Sequence, residues 1–132
     1  MILAAGCFDG LSAPQVRYLQ FAKRINPQQS LVVTLETDAY IREVKGREPC
    51  WPLADRAYAV SGLACVDHVH TQGEDERVPD VIRLLQPAYF VKGPDWTTSL
   101  DDAHRDACAE VGAEIVFTRN FGKHWSDVRC SR

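Results

Sequence analysis

The chain has 132 residues, 45% of them hydrophobic, and a formal net charge of −3. This length and apolar content suit one domain, residues 1–132, with a core of its own, since domains commonly run ~100–150 residues. The acidic balance excludes gripping nucleic acid by charge alone. No apolar run approaches the ~20 residues of a membrane span, and no basic leader precedes the first apolar stretch, so a cytoplasmic protein acting away from membranes is expected.

Ile2 to Phe8 is short, continuous and apolar, which predicts a buried strand running into a turn at Gly6-Cys7-Phe8-Asp9-Gly10. Ser12-Ala13-Pro14-Gln15 has the spacing of a capping box, with Ser12 as N-cap, a proline in the first turn and Gln15 at the third position. Val16, Leu19 and Ala22 then mark one helical stripe, which Lys23, Arg24 and Asn26-Pro27 end. Ser30–Glu36 is a second buried strand. Thr37-Asp38 starts a short helix that ends near Lys45-Gly46, and Gly46–Pro52 is a loop. Leu53, Ala57, Val60 and Ala64 fall at helical spacing, which predicts a helix over Leu53–Cys65.

Val66–Thr71 is a third strand, on which His68 and His70 share one face. With no third ligand at useful spacing, no metal site is expected there. An acidic loop, Gln72–Arg77, leads to a short helix capped by Asp80 and ending at Leu85. Ala88–Lys92 is the fourth strand, followed by Gly93-Pro94-Asp95-Trp96. Ser99–Asp102 reads as a second capping box, with Leu100, Ala103, Ala107 and Val111 as the buried stripe and Gly112 as the stop. Glu114–Thr118 is the fifth strand, and a loop follows from Arg119 to Ser126. The five cysteines, an odd number without a C-x-x-C pair, read as free buried thiols of a reducing compartment.

Strands alternating with helices demand parallel pairing with right-handed crossovers. The predicted fold is therefore an α/β three-layer, Rossmann-like sandwich with a five-stranded parallel sheet. Ligands of such sheets bind at the carboxyl ends of the strands, where strand order reverses. Here those ends carry Cys7-Phe8-Asp9, Lys92-Gly93 with Asp95, and Arg119 onward.

Several of these segments resemble the cytidylyltransferase-like nucleotidyltransferases, and most nearly the heptose-phosphate and glycerol-phosphate type. Gly6-Cys7-Phe8-Asp9 matches the start of their G-x-F-D-x-x-H-x-G-H motif. Thr37-Asp38, Val44-Lys45-Gly46-Arg47-Glu48-Pro49, Asp55-Arg56, Cys65-Val66-Asp67, Pro87 and Val91-Lys92-Gly93 with Asp95-Trp96 follow in matching order and spacing. The resemblance implies attack of an acceptor phosphate on the α-phosphate of CTP or ATP, with Mg²⁺ assisting. It implies nucleotide contacts from Gly6, Cys7, Phe8, Asp9, Ser12, Gln15, Gly93, Asp95, Arg119 and His124, and catalytic charge from Lys45, Arg56 and Lys92. It also implies a homodimer, a nucleoside triphosphate and a small phosphorylated substrate as partners.

One departure bears on the chemistry. Ser12 and Gln15 stand where the motif has its two histidines, and Pro14 stands for the second glycine. Neither side chain is a cation, and proline removes an N–H from the anion-binding end of a helix. Loss of one well-aimed donor costs on the order of 10²–10³ in rate. Three readings follow: a divergent nucleotidyltransferase of weak or lost activity, a non-catalytic nucleotide-binding or scaffold homologue, and a different reaction that uses Cys7 as an exposed thiol of depressed pKa.

Overall fold

The computed structural model describes residues 1–94, 97, 99 to 119. Among the described residues the elements run β1 (Ile2–Gly6), α1 (Ala13–Ile25), β2 (Leu31–Leu35), α2 (Asp38–Lys45), α3 (Leu53–Ser61), β3 (His68–Thr71), α4 (Val78–Leu85), β4 (Tyr89–Lys92), α5 (Asp102–Val111) and β5 (Glu114–Phe117). The strands form one parallel sheet in the order β3-β2-β1-β4-β5. β1 is central: Ile2 lies opposite Leu31 on one side and Tyr89 on the other. The chain winds outward from β1 to β3, crosses back to β4 and continues to β5, so the order reverses between β1 and β4. That reversal opens a crevice at the carboxyl ends of these two strands.

Because side chains alternate along a strand, β1 feeds two cores. Ile2 and Ala4 join Leu19 and Ala22 of α1, Leu31, Val33 and Leu35 of β2 and Val60 of α3 on one face. Leu3 and Ala5 join Val32, Phe90, the α4 residues Val78, Val81 and Ile82, and Ala107 and Cys108 of α5 on the other. The expected three layers are present. Full burial of side chains such as Leu3, Ile82 and Phe90 contributes roughly 1.5–3 kcal/mol each. Among the described residues no helix is long and apolar enough to cross a membrane.

Several boundaries differ from expectation, each for a local reason. β1 stops at Gly6 because Phe8 adopts φ +48° and turns the chain. α3 ends at Ser61, where the Gly62 amide turns back onto the carbonyls of Tyr58 and Ala59. β3 accordingly begins at His68. Arg77 is the N-cap of α4, while Asp80 sits at the third position and accepts the Arg77 N–H at 2.9 Å. In α5 the cap is Asp101, whose carboxylate accepts from the His104 N–H at 3.0 Å, and Ala103 is exposed, so the buried stripe runs through Leu100, Ala107 and Cys108. Of the four described cysteines, all free, only Cys108 is buried; Cys7 and Cys65 are half-buried and Cys50 is exposed.

Candidate functional site

The turn after β1 is built around glycine and aromatic bulk. A Cβ on Gly6 would lie 3.0 Å from the Phe8 ring, so the glycine makes room for that side chain. Phe8 is buried and stacks near Tyr18, whose hydroxyl donates to the Val91 carbonyl at 2.7 Å. The aromatic pair thereby ties α1 to β4 across the crevice floor. Gly10, at φ +92°, lets the chain swing up to α1 in a conformation costly for other residues.

Asp9 and Arg56 hold the surrounding loops together. The Asp9 carboxylate accepts from Arg47 Nη1 at 2.6 Å, the Cys50 amide at 2.8 Å and the Trp51 amide at 2.9 Å. Burial alone would push its pKa up, but the Cys50 amide, the Arg47 guanidinium and the Trp51 amide outweigh it and hold the group below the usual carboxylate range. Asp9 therefore anchors the 46–52 loop. Arg56, on α3, is 1% exposed. Its guanidinium donates to the carbonyls of Trp51, Cys7 and Glu36 and to Asp38 Oδ1 at 2.7 Å. It thus joins the ends of β1 and β2 to the start of α2.

The α1 N-terminus forms one wall of the crevice. Gln15 Oε1 accepts the Ser12 N–H at 3.3 Å, as the capping-box spacing predicts. Ser12 Oγ is buried and has no hydrogen-bond partner. A helix of 13 residues starting here presents positive partial charge and unpaired amides to the crevice, reduced by the N–H that Pro14 lacks.

The other wall is a buried polar cluster at the strand ends. Lys92 closes β4 and is 7% exposed, as is Glu36 just past β2. Burial lowers the Lys92 pKa to about 8, against the upward pull of Glu36 and Cys7. Burial likewise raises the Glu36 carboxyl, opposed by the charges of Lys92, Arg77 and Lys45 and by the neighbouring Gln72 amide. Gln72, 5% exposed, follows β3, and its Nε2 donates to Thr34 Oγ1 at 3.4 Å. Cys7 faces the same charges, and burial pushes its thiol up in spite of Lys45. That direction is opposite to what a reactive-thiol site requires. Tyr40 of α2 completes the rim, its hydroxyl raised to about 12 by burial and by Glu36.

The structure thus brings Cys7, Lys45 and Lys92 into one electrostatic neighbourhood. Arg56, Asp9, Gly6 and Phe8 lie directly behind it as framework. Gly93 follows Lys92, with open space where a Cβ would stand. Arg119 is exposed, one residue past Thr118, whose amide donates to the Lys92 carbonyl. Asp95 and His124 lie outside the described residues. Sequence reading missed Glu36, Gln72, Tyr40 and Arg77. The one available signal was a carboxylate ending an otherwise apolar strand, Leu31 to Glu36. His70 contacts the Glu76 carboxylate at 3.1 Å, and no group of three metal-binding side chains occurs among the described residues.

A reversal of strand order, a helix start facing it and buried charge at the strand ends define a doubly wound α/β domain with its ligand cleft at the carboxyl edge of the sheet. Residues 3–130 match the cytidylyltransferase-like family, and the chain belongs to that family. It is 41% identical over 98 residues to the bifunctional protein HldE of Geotalea uraniireducens, which covers 74% of this chain and 19% of that protein. Against the bifunctional protein HldE of Geobacter sulfurreducens it is 38% identical over 117 residues, 88% of this chain and 21% of that protein. The chain spans about a fifth of the length of these curated relatives. Among solved structures, a lipopolysaccharide core biosynthesis protein from Thermoplasma volcanium superimposes with a TM-score of 0.73 at 22% identity, covering 92% of this chain and 96% of that one. A pantothenate synthetase from Thermus thermophilus gives 0.60 at 16% identity, over 89% and 55%. At these identities the likeness is one of fold.

Proposed function

We propose that this domain binds a nucleoside triphosphate, as its Mg²⁺ complex, in the crevice between the α1 N-terminus and Lys92, and that it transfers a nucleotidyl group to a phosphorylated acceptor slowly or not at all. The observation carrying this reading is the pairing of a preserved cleft with an uncharged helix start. Lys92 is a buried ammonium at the point where strand order reverses, and Lys45 adds a second cation at the rim. Opposite them, Ser12 and Gln15 offer no positive charge, and the Gln15 carbonyl is engaged by its own helix cap. Phosphoryl transfer depends on positioning and on donors aimed at the phosphoryl oxygens. Ground-state binding through Lys92 and the α1 amides therefore survives better than transition-state stabilisation. The metal ion comes as part of the nucleotide, because Asp9, the carboxylate of the Gly6-Cys7-Phe8-Asp9 turn, is already held by Arg47 and two amides.

Calorimetric titration with CTP, ATP and GTP in Mg²⁺ tests the binding half. Pyrophosphate release by the wild-type chain and by the triple variant Ser12→His, Pro14→Gly, Gln15→His tests the other half. A rise on the order of 10²-fold or more in the variant supports the reading. Brisk turnover by the wild type refutes the loss of rate. Nucleotide binding with no turnover in either protein selects the non-catalytic homologue, and no binding at all refutes the proposal.

A further inference from the structure

Two polar side chains in the cluster are not accounted for by nucleotide binding. Glu36 and Gln72 are 7% and 5% exposed, yet Glu36 Oε2 and Gln72 Oε1 have no hydrogen-bond partner. Buried polar atoms are almost always paired, so two orphaned acceptors side by side are an exception with a cause. We propose that Glu36 and Gln72 form the subsite that reads hydroxyl groups on a phosphorylated polyol, the acceptor of the reaction inferred above.

The chemistry of the orphans narrows the occupant. Both are acceptors, so what meets them must donate hydrogen bonds. A metal ion or an ammonium group would donate or coordinate as well, but Lys92, Arg77 and Lys45 all act on Glu36 and repel a cation. The same three charges attract an anion. A neutral run of hydroxyls attached to a phosphate satisfies both demands, with hydroxyls on the acceptors and phosphate toward the cations.

Position agrees with this division. The triphosphate site inferred above uses the α1 start and the ends of β1 and β4. Glu36 and Gln72 follow β2 and β3, the next two strands outward. With strands ~4.8 Å apart, the four ends from β4 to β3 span ~14 Å. That places the hydroxyl-reading pair one to two strand spacings from the reacting phosphates, the reach of a short sugar or polyol chain. Thr34, buried beneath them on β2, holds Gln72 through its hydroxyl and fixes the amide against the sheet.

The competing account is internal. A protonated Glu36 donating to Gln72 Oε1 would close both valences and leave nothing for a ligand. Calorimetry on the full chain separates the two with three probes that share one charge: methyl phosphate, glycerol 3-phosphate and ribose 5-phosphate. The expected result is tightening with hydroxyl count, ribose 5-phosphate binding about tenfold or more tighter than methyl phosphate, the size of one hydrogen bond to a charged group. Glu36→Gln and Gln72→Leu should each bring that ratio to within about threefold. The ratio is the readout because any change in Lys92 charge moves all three probes alike.

A wild-type ratio near one, including failure of every probe to bind, overturns the proposal, and so does a ratio that both variants leave intact. The wild-type series stands whether or not a variant folds. Nucleotide titrations on the same protein keep the two readings apart. Nucleotide binding with a flat probe series sinks the hydroxyl subsite alone, whereas a graded series without nucleotide binding sinks the triphosphate reading alone.

Discussion

Replacing Arg56 is the sharpest test of how the cleft is held. Four donor contacts leave this one guanidinium: to the carbonyls of Trp51, Cys7 and Glu36 and to Asp38 Oδ1. In Arg56→Met the apolar stem is kept and every one of these acceptors loses its partner. Breaking one side of a buried charged pair costs ~3–5 kcal/mol, and most of the acceptors here are backbone groups that cannot move far. With an unfolding entropy of ~2.1 cal/mol/K per residue, each kcal/mol over this chain corresponds to about 3.5 °C. A thermal melt should therefore fall by roughly 10–18 °C, the loss being about a fifth or more of a typical domain stability. Arg56→Lys should recover little, because one ammonium cannot span carbonyls from two strand ends and a carboxylate on α2. Circular-dichroism melts give the stability and calorimetry well below the melt gives nucleotide affinity. A melt lowered by less than about 4 °C together with abolished nucleotide binding would refute this reasoning and return Arg56 to direct ligand contact.

Further outcomes follow from the same geometry. The Asp9 carboxyl lies below its unfolded value, so its stabilisation is complete above about pH 4 and is lost as pH falls through the folded value. Asp9→Asn should melt several degrees lower at pH 7 and draw closer to the wild type as the pH is lowered below about 4, and melts that stay parallel throughout acidification would refute the assignment. Lys92 loses its proton near pH 8, so nucleotide affinity should decline above that pH in the wild type and be weak and flat in Lys92→Met; calorimetry from pH 7 to 9.5 measures it. Folding stability should move the other way, rising from pH 8 toward ~10, because the unfolded lysine still binds a proton there. Gly6→Ala puts a methyl 3.0 Å from the Phe8 ring and should cost about 1–3 kcal/mol in urea unfolding; an unchanged midpoint would show that the ring moves freely.

The layers of the fold were legible because apolar runs at Ile2, Leu31 and Tyr89 have the continuous character of strands covered on both faces. Helix ends were less so. The Gly62 turn is held by carbonyl contacts to Tyr58 and Ala59, which no periodicity announces, and the Arg77 cap depends on Asp80 reaching backward. In the site, Lys92 was found because a strand's carboxyl end is a positional rule. Arg56 was found by resemblance, but its buried bonding to three carbonyls is tertiary and left no mark in the chain. Glu36 left a faint mark as a carboxylate ending an apolar strand, but its pairing with Gln72 becomes visible only once β2 and β3 lie side by side.

The central place of β1 has a consequence for how the chain is made. β1 leaves the ribosome before β4, and its partner on one edge, Tyr89–Lys92, arrives more than eighty residues later. Through that interval one row of Ile2–Gly6 amides and carbonyls stands open beside the apolar side chains of Leu3 and Ala5. A stalled or truncated product ending before Tyr89 would carry a bare parallel edge, a natural template for mispairing with another nascent copy.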